Sequence, residues 1–202
     1  MNKGVIFIIS GPSGSGKDTL MVELFKKCPE IKFSISSITR AMRVGEVEGV
    51  KYNFISKEQF EQMIKEDKLL EYNSYVGNYY GTPRKPVEDE IEKGNNILIE
   101  VDVNGAAQIK EKMPEAVSMF IMPPSFEELE RRLSGRGTES EELIRKRMQS
   151  SLDEIKRASE YDYIIVNDDI ATAVDDIISV MRSCQLRQEK QKHIIEEVLE
   201  KC

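Results

Sequence analysis

The chain has no tryptophan, a single histidine (His193) and three widely separated cysteines among its 202 residues. One histidine, set in a polar C-terminal stretch, leaves little from which to build a histidine general base or a histidine metal site. Cys28, Cys184 and Cys202 are odd in number and fit neither a disulfide framework nor zinc-ligand spacing, so free thiols in a reducing compartment are expected. No apolar run is long enough to cross a bilayer. The first such run, Val5-Ile6-Phe7-Ile8-Ile9, is too short for the core of a secretory signal and lacks a small-residue cleavage site. Basic charge is also in short supply. With 29 Lys and Arg against 36 Asp and Glu, the net charge is -7, which opposes general binding to a nucleic-acid backbone. The expectation is a cytoplasmic protein, monomer or homodimer, with no membrane or nucleic-acid partner.

What is present is an ordinary globular balance, 40% hydrophobic and 32% charged, on a chain long enough for one compact domain. Residues 4–9 read as a buried parallel strand, followed by a glycine-rich turn and a helix carrying Leu20, Leu24 and Phe25. A second strand is expected at Phe33 to Ser36. The segment from Thr39 to Gly81 then turns polar, with a short helix whose capping box is Ser56 and Gln59 and short strands at Tyr52-Asn53-Phe54 and within Leu70 to Tyr80. Alternation of helix and strand resumes with a helix over Val87 to Lys93, strands at Ile97–Val101 and Val117–Ile121, and a helix between them past Gly105. Ser125 and Glu128 cap a helix that is expected to place Phe126, Leu129 and Leu133 on one side. A helix with Ile144, Met148, Leu152 and Ile155, a strand at Tyr163–Val166 and a helix with Val174, Ile177, Ile178 and Met181 complete the pattern. Beyond residue 182 it weakens, and the tail reads as a docking or dimerising helix or a solvated extension.

The motif of greatest weight is Gly11-Pro12-Ser13-Gly14-Ser15-Gly16-Lys17, placed between a strand and a helix as a phosphate cradle requires. Its glycines let backbone N–H groups converge on phosphate oxygens, the helix N-terminus adds partial positive charge, and Lys17 supplies a movable cation. The next residue departs from the pattern. Where a Ser or Thr hydroxyl would ligate magnesium stands Asp18, with Thr19 after it. The carboxylate could bind the metal directly or through water, or repel the phosphates, and Asp18→Ser is expected to keep or raise activity.

A second anion site is suggested by Arg40 and Arg43, two guanidinium groups three residues apart beside a turn. Tyr52 and Tyr80 could add phenolic donors. Glu71 and Asp102 supply acceptors that match guanine N1–H and its N2 amino group, and a hydroxyl from Ser36 or Thr82 could meet guanine O6. The inventory suits guanine better than adenine or a pyrimidine. Farther on, Arg131, Arg132, Arg136, Arg145 and Arg147 bracket a short glycine-containing stretch, a density of cations suited to charge spread over a migrating phosphoryl group.

Along nearly its whole length the sequence resembles the guanylate kinases. The resemblance is carried by Gly11-Pro12-Ser13-Gly14 through Lys17, Ser36-Ser37 through Arg40 and Arg43, Gly45-Glu46-Val47, Tyr52-Asn53-Phe54, Gly77 through Thr82, Gly135-Arg136-Gly137-Thr138 and Val166-Asn167-Asp168. It implies a P-loop NTPase-type α/β fold, a parallel sheet flanked by helices, as a single domain over 1–202. The core would cover about 1–36, 84–133 and 151–182, with a GMP-binding insert at about 37–83, a mobile lid at about 134–150 and a C-terminal helical extension at about 183–202. The residues Gly11 to Thr19, with Arg132 near the adenine and Asn167 on that base, would bind ATP. Arg40, Arg43, Tyr52 and Tyr80 would hold the GMP phosphate, while Ser36, Glu71, Thr82 and Asp102 would read its base. Thr82 stands where many members have Ser. Lys17, Arg40, Arg43, Arg136 and Arg147 would serve catalysis, and Mg2+ would be held with the help of Asp18. Two rivals follow from the same residues, a guanylate-kinase-like binding module without catalysis and a kinase for another monophosphate; Lys17 and the arginines oppose the first, Glu71 and Asp102 the second.

Overall fold

The computed structural model describes residues 3–135 and 141–200. Its centre is a five-stranded sheet in the order β2-β7-β1-β8-β9, every neighbouring pair parallel. The strands are β1 (Ile6–Ser10), β2 (Lys32–Phe33), β7 (Ile97–Glu100), β8 (Val117–Met122) and β9 (Tyr163–Val166). All five residues of β1 are buried, because alternate side chains leave a strand on opposite faces and here both faces are covered. Phe7 and Ile9 pack with α1 (Lys17–Lys27) and α7 (Ile170–Gln185), through Leu20, Leu24, Val174 and Ile177. Ile6 and Ile8 pack on the other side with α3 (Arg84–Glu92) and α4 (Val103–Lys112), through Val87, Ile91, Ala106 and Ile109. The result is a three-layer α/β/α fold.

A second sheet grows from the segment after β2. It contains β3 (Ser36–Ile38), β4 (Tyr52–Phe54), β5 (Leu69–Tyr75) and β6 (Asn78–Pro83) in the order β4-β3-β6-β5, antiparallel except for the parallel pair β3 and β4. Helix α2 (Lys57–Lys65) lies within it and buries Phe60, which stacks on Tyr79 with ring centroids 5.1 Å apart. Its start carries the full capping box, Gln59 N–H donating to Ser56 Oγ and Ser56 N–H to Gln59 Oε1. The sheet is fastened to the core through α4, where the Gln108 side chain exchanges hydrogen bonds with the backbone of Tyr72 at 3.2 and 3.1 Å. The remaining helices are α5 (Phe126–Ser134), α6 (Glu141–Lys156) and α8 (Gln188–Leu199).

Three expectations need adjustment. The expected strand from Phe33 to Ser36 is divided: the Ser34 N–H still donates to the Leu98 carbonyl, but Ser36 already belongs to the second sheet. Helix α3 begins at Arg84 rather than near Val87, since Pro86 falls in the first turn, where its missing N–H has no intrahelical partner to lose. Phe126 opens α5 and is 49% exposed, while Leu129 and Leu133 are buried as expected. The tail forms a regular helix, α8, but buries none of its residues. No helix among the described residues is long and apolar enough to cross a membrane. Cys28 and Cys184 are free thiols, whereas Cys202 lies outside the described residues.

Candidate active site

The C-terminal end of β1 runs directly into the glycine-rich loop. Gly16 precedes α1 with φ 88, and a Cβ there would collide with the Asn167 amide; Gly11 leaves no room for a Cβ against the Ile121 carbonyl. Both sites therefore need glycine for steric reasons as well as for backbone freedom. The Lys17 ammonium folds back on the Gly11 and Pro12 carbonyls, the latter at 3.2 Å. Burial lowers its pKa from the usual lysine range, with Glu100, Glu154 and Asp18 acting against that shift.

Three side chains meet beside this loop. Lys51, which immediately precedes β4, places its Nζ 3.3 Å from Asp18 Oδ1 and 3.3 Å from Glu100 Oε2. Burial opposes the Lys51 charge, but Glu100, Tyr52 and Asp18 outweigh it and leave the pKa raised. Glu100 ends β7, beside β1, at the mouth of the sheet, and Glu154 of α6 lines the same cleft with its carboxyl pushed up by burial.

On the far side of the loop, the Asn167 amide nitrogen donates to the Ser15 carbonyl at 2.7 Å, and Arg132 reaches the Ser15 and Asn167 carbonyls at 3.3 and 3.0 Å. Glu128 orients Arg132 through its Nε at 2.7 Å. Asn167 Oδ1 is buried with no hydrogen-bond partner among the described residues. From α6, Arg147 donates to Ser13 Oγ at 2.6 Å and Ser151 Oγ to the Ser13 carbonyl at 3.3 Å, so this helix touches the phosphate loop directly. Arg136 lies outside the described residues.

The second sheet presents the other group of polar residues. Arg40 is held in a two-pronged pair with Glu46, at 2.7 and 2.5 Å, and lies 5.3 Å from the centre of the Tyr52 ring. That pairing raises the Arg40 pKa and, with the Arg43 N–H, brings Glu46 down to about 2. Arg43 itself is exposed and Tyr80 half-buried on β6. Glu71 is buried on β5, accepts from Thr82 Oγ1 at 2.7 Å, and lies against Gly105 at the start of α4. Burial pushes its carboxyl up to about 7, with the Thr82 hydrogen bond opposing the shift and Asp102 reinforcing it. Asp102 caps α4 by accepting from the Asn104 and Gly105 N–H groups through Oδ1, and its Oδ2 accepts from Asn73 at 2.9 Å.

A cleft of about 910 Å³ joins the two groups. Its lining includes the loop from Gly11 to Gly14, then Gly16 through Thr19, together with Ser36, Tyr52, Asp102, Arg132 and Asn167. Arg40, Arg43, Glu71, Tyr80, Thr82 and Arg147 are not among its walls. Lys51, Glu100 and Glu154 line it without having been expected. Glu100 had a usable signal, an acid at the carboxyl end of an apolar parallel strand, where ligands of open α/β sheets collect. Glu154 falls seven residues after Arg147, on the same face of α6. Lys51 had none, because only the docking of the second sheet carries it to Asp18.

A glycine-lined phosphate loop at the carboxyl edge of a parallel sheet, opening on a cleft with a second polar wall, defines a P-loop nucleotide-binding protein. Residues 3–184 match the family model for guanylate kinase. The chain is 44% identical to the guanylate kinase of Desulfitobacterium hafniense (strain Y51) over 197 residues, covering 98% of both chains, and 47% identical over 190 residues to that of Carboxydothermus hydrogenoformans, covering 94% of this chain and 93% of the relative. The crystal structure of guanylate kinase from Anaplasma phagocytophilum superposes with a TM-score of 0.74 at 36% identity, covering 93% of this chain and 89% of that one. The chain belongs to the guanylate kinase family.

Proposed function

We propose that the protein transfers the γ-phosphoryl group of ATP to GMP or dGMP, giving ADP and GDP, with Mg2+, as a step in purine nucleotide metabolism. The observation that carries this reading is the shared cleft, whose lining includes the phosphate loop and Lys17 together with Ser36, Tyr52 and Asp102. ATP phosphates would rest on the loop N–H groups and Lys17, with Arg132 and Asn167 beside the adenine; the unpartnered Asn167 Oδ1 suits an exocyclic amine. GMP would set its phosphate among Arg40, Arg43, Tyr52 and Tyr80, and its base against Ser36, Glu71, Thr82 and Asp102.

The donor set fits magnesium. Asp18 and Glu100 already face one cation, the Lys51 ammonium, from 3.3 Å each, and Mg2+ takes one or two carboxylates plus substrate phosphates and water. When bound it would neutralise charge on the phosphate oxygens. The acceptor phosphate is already anionic at neutral pH, so transfer needs positioning and charge shielding rather than a general base. Glu46 fixes the plane of Arg40, and Arg147 and Arg136 come from the segment at about 134–150, which we assign as a lid, with 37–83 as the acceptor insert.

The test is a panel of GMP, dGMP, AMP, CMP and UMP with ATP, run with and without Mg2+. GDP formation from GMP with Mg2+ is expected. Absence of any diphosphate product would favour a binding module, and a preference for another monophosphate would reassign the acceptor.

A further inference from the structure

Asp18 and Lys51 are each unusual in their setting, and the structure brings them together. Asp18 adds a negative charge at the start of α1, beside a loop built to receive a polyphosphate. By itself that charge would repel the donor nucleotide. Lys51 answers it from the turn just before β4, 33 positions along the chain, and reaches Glu100 at the same time. Glu100 is the more enclosed of the two acids, its side chain 17% exposed, while Asp18 is 79% exposed and Lys51 46%. The ammonium thus sits between two carboxylates that line the cleft, the same oxygens on which a metal accompanying ATP would draw.

We propose that Lys51 is a positioning residue of the donor site: its ammonium and the metal of a metal–nucleotide complex hold the Asp18 and Glu100 carboxylates in turn. With no metal present, Lys51 neutralises the pair and ties the second sheet to the phosphate loop. With those carboxylates engaged by a metal, Lys51 would give up the pair, freeing the start of β4 and with it Tyr52, which borders both the cleft and Arg40. Occupation of the donor site is thereby communicated to the acceptor wall by exchange of one cation for another. The inference rests on the reading of the glycine loop as an ATP site. Two ligands that compete for the same carboxylates must each weaken the other by the same factor, which makes the exchange measurable without turnover.

The experiment is calorimetric binding of AMP-PNP, a non-transferable ATP analogue, to the full chain with excess Mg2+ and again in EDTA. Lys51→Gln removes the internal cation, so affinity with Mg2+ should rise and affinity in EDTA should fall. Their ratio should increase about tenfold, as expected for a partly exposed charge pair acting in both conditions. Lys51→Arg restores a cation and should keep the ratio within about twofold of the parent. In an Asp18→Asn background, the effect of Lys51→Gln should shrink to about threefold or less. A ratio unchanged in Lys51→Gln, with AMP-PNP still bound, overturns the exchange and leaves the nucleotide site standing. An undiminished effect in the Asp18→Asn background removes Asp18 from it. Failure of the parent to bind AMP-PNP at all overturns both readings.

Discussion

Glu71 is a buried carboxyl that accepts from the Thr82 hydroxyl, and burial outweighs that hydrogen bond and pushes its pKa up to about 7. Between the ordinary carboxylate value near 4.5 and about 7, the folded chain holds a proton that the unfolded chain has lost. Stability contributed by this group is therefore complete below that window and falls as pH rises through it. Denaturant titrations at pH 5 and pH 8 should differ by up to about 3 kcal/mol from this residue, and Glu71→Gln should remove most of that difference. If guanine N1–H and N2 donate to the ionised carboxyl, GMP should bind more tightly above pH 7 and release a proton below it. Calorimetry in buffers of different ionisation enthalpy reads that release directly. Asp102 caps α4 and, in the proposed function, also meets the guanine base. Asp102→Asn keeps an oxygen for the helix cap and should leave stability within about 0.5 kcal/mol, while raising KM for GMP about tenfold through loss of an anionic acceptor. Arg136→Ala should lower kcat by roughly 10³-fold with little change in melting temperature; near-normal turnover would remove Arg136 from the mechanism.

Among the elements, local rules account for the most legible features. The capping box at Ser56 and Gln59 depends on two side chains three residues apart and their own backbone, and both of its hydrogen bonds are present. The β5–β6 hairpin turns at Val76 and Gly77, both with positive φ, at 47 and 73. That geometry matches the twist of the flanking strands but strains a β-branched residue. Val76→Asn should therefore raise stability by about 1 kcal/mol in chemical denaturation. The division between β2 and β3 was not legible, because Phe33 to Ser36 has the pattern of one strand. Which sheet each residue joins depends on distant partners, Leu98 for Ser34 and Tyr52 and Gly81 for β3. The exposure of Phe126 has the same origin, since helical spacing names a face but not where that face ends.

Across the molecule, the cleft has two walls borne on separate sheets, and Arg40, Arg43 and Arg147, three of the arginines expected at the phosphates, are not among its lining residues. Arg40 is engaged with Glu46 and Arg147 with Ser13. The proposed transfer between two anionic nucleotides would require these cations to converge on the phosphates with water excluded. Small-angle scattering should accordingly show a smaller radius of gyration with GMP and AMP-PNP together than with either alone; no contraction would argue against closure of the insert and the lid.

The sequence by itself determined the phosphate loop, the alternation of strands and helices, and the residue types able to meet a guanine nucleotide, because these rest on short-range spacing and side-chain chemistry. The tertiary structure decided where the charges meet. Lys51 reaches Asp18 and Glu100 from the segment just before β4, and burial beside Gly105 of α4 pushes the Glu71 carboxyl up. Burial and through-space electrostatics depend on residues brought together from far apart, which no local pattern encodes.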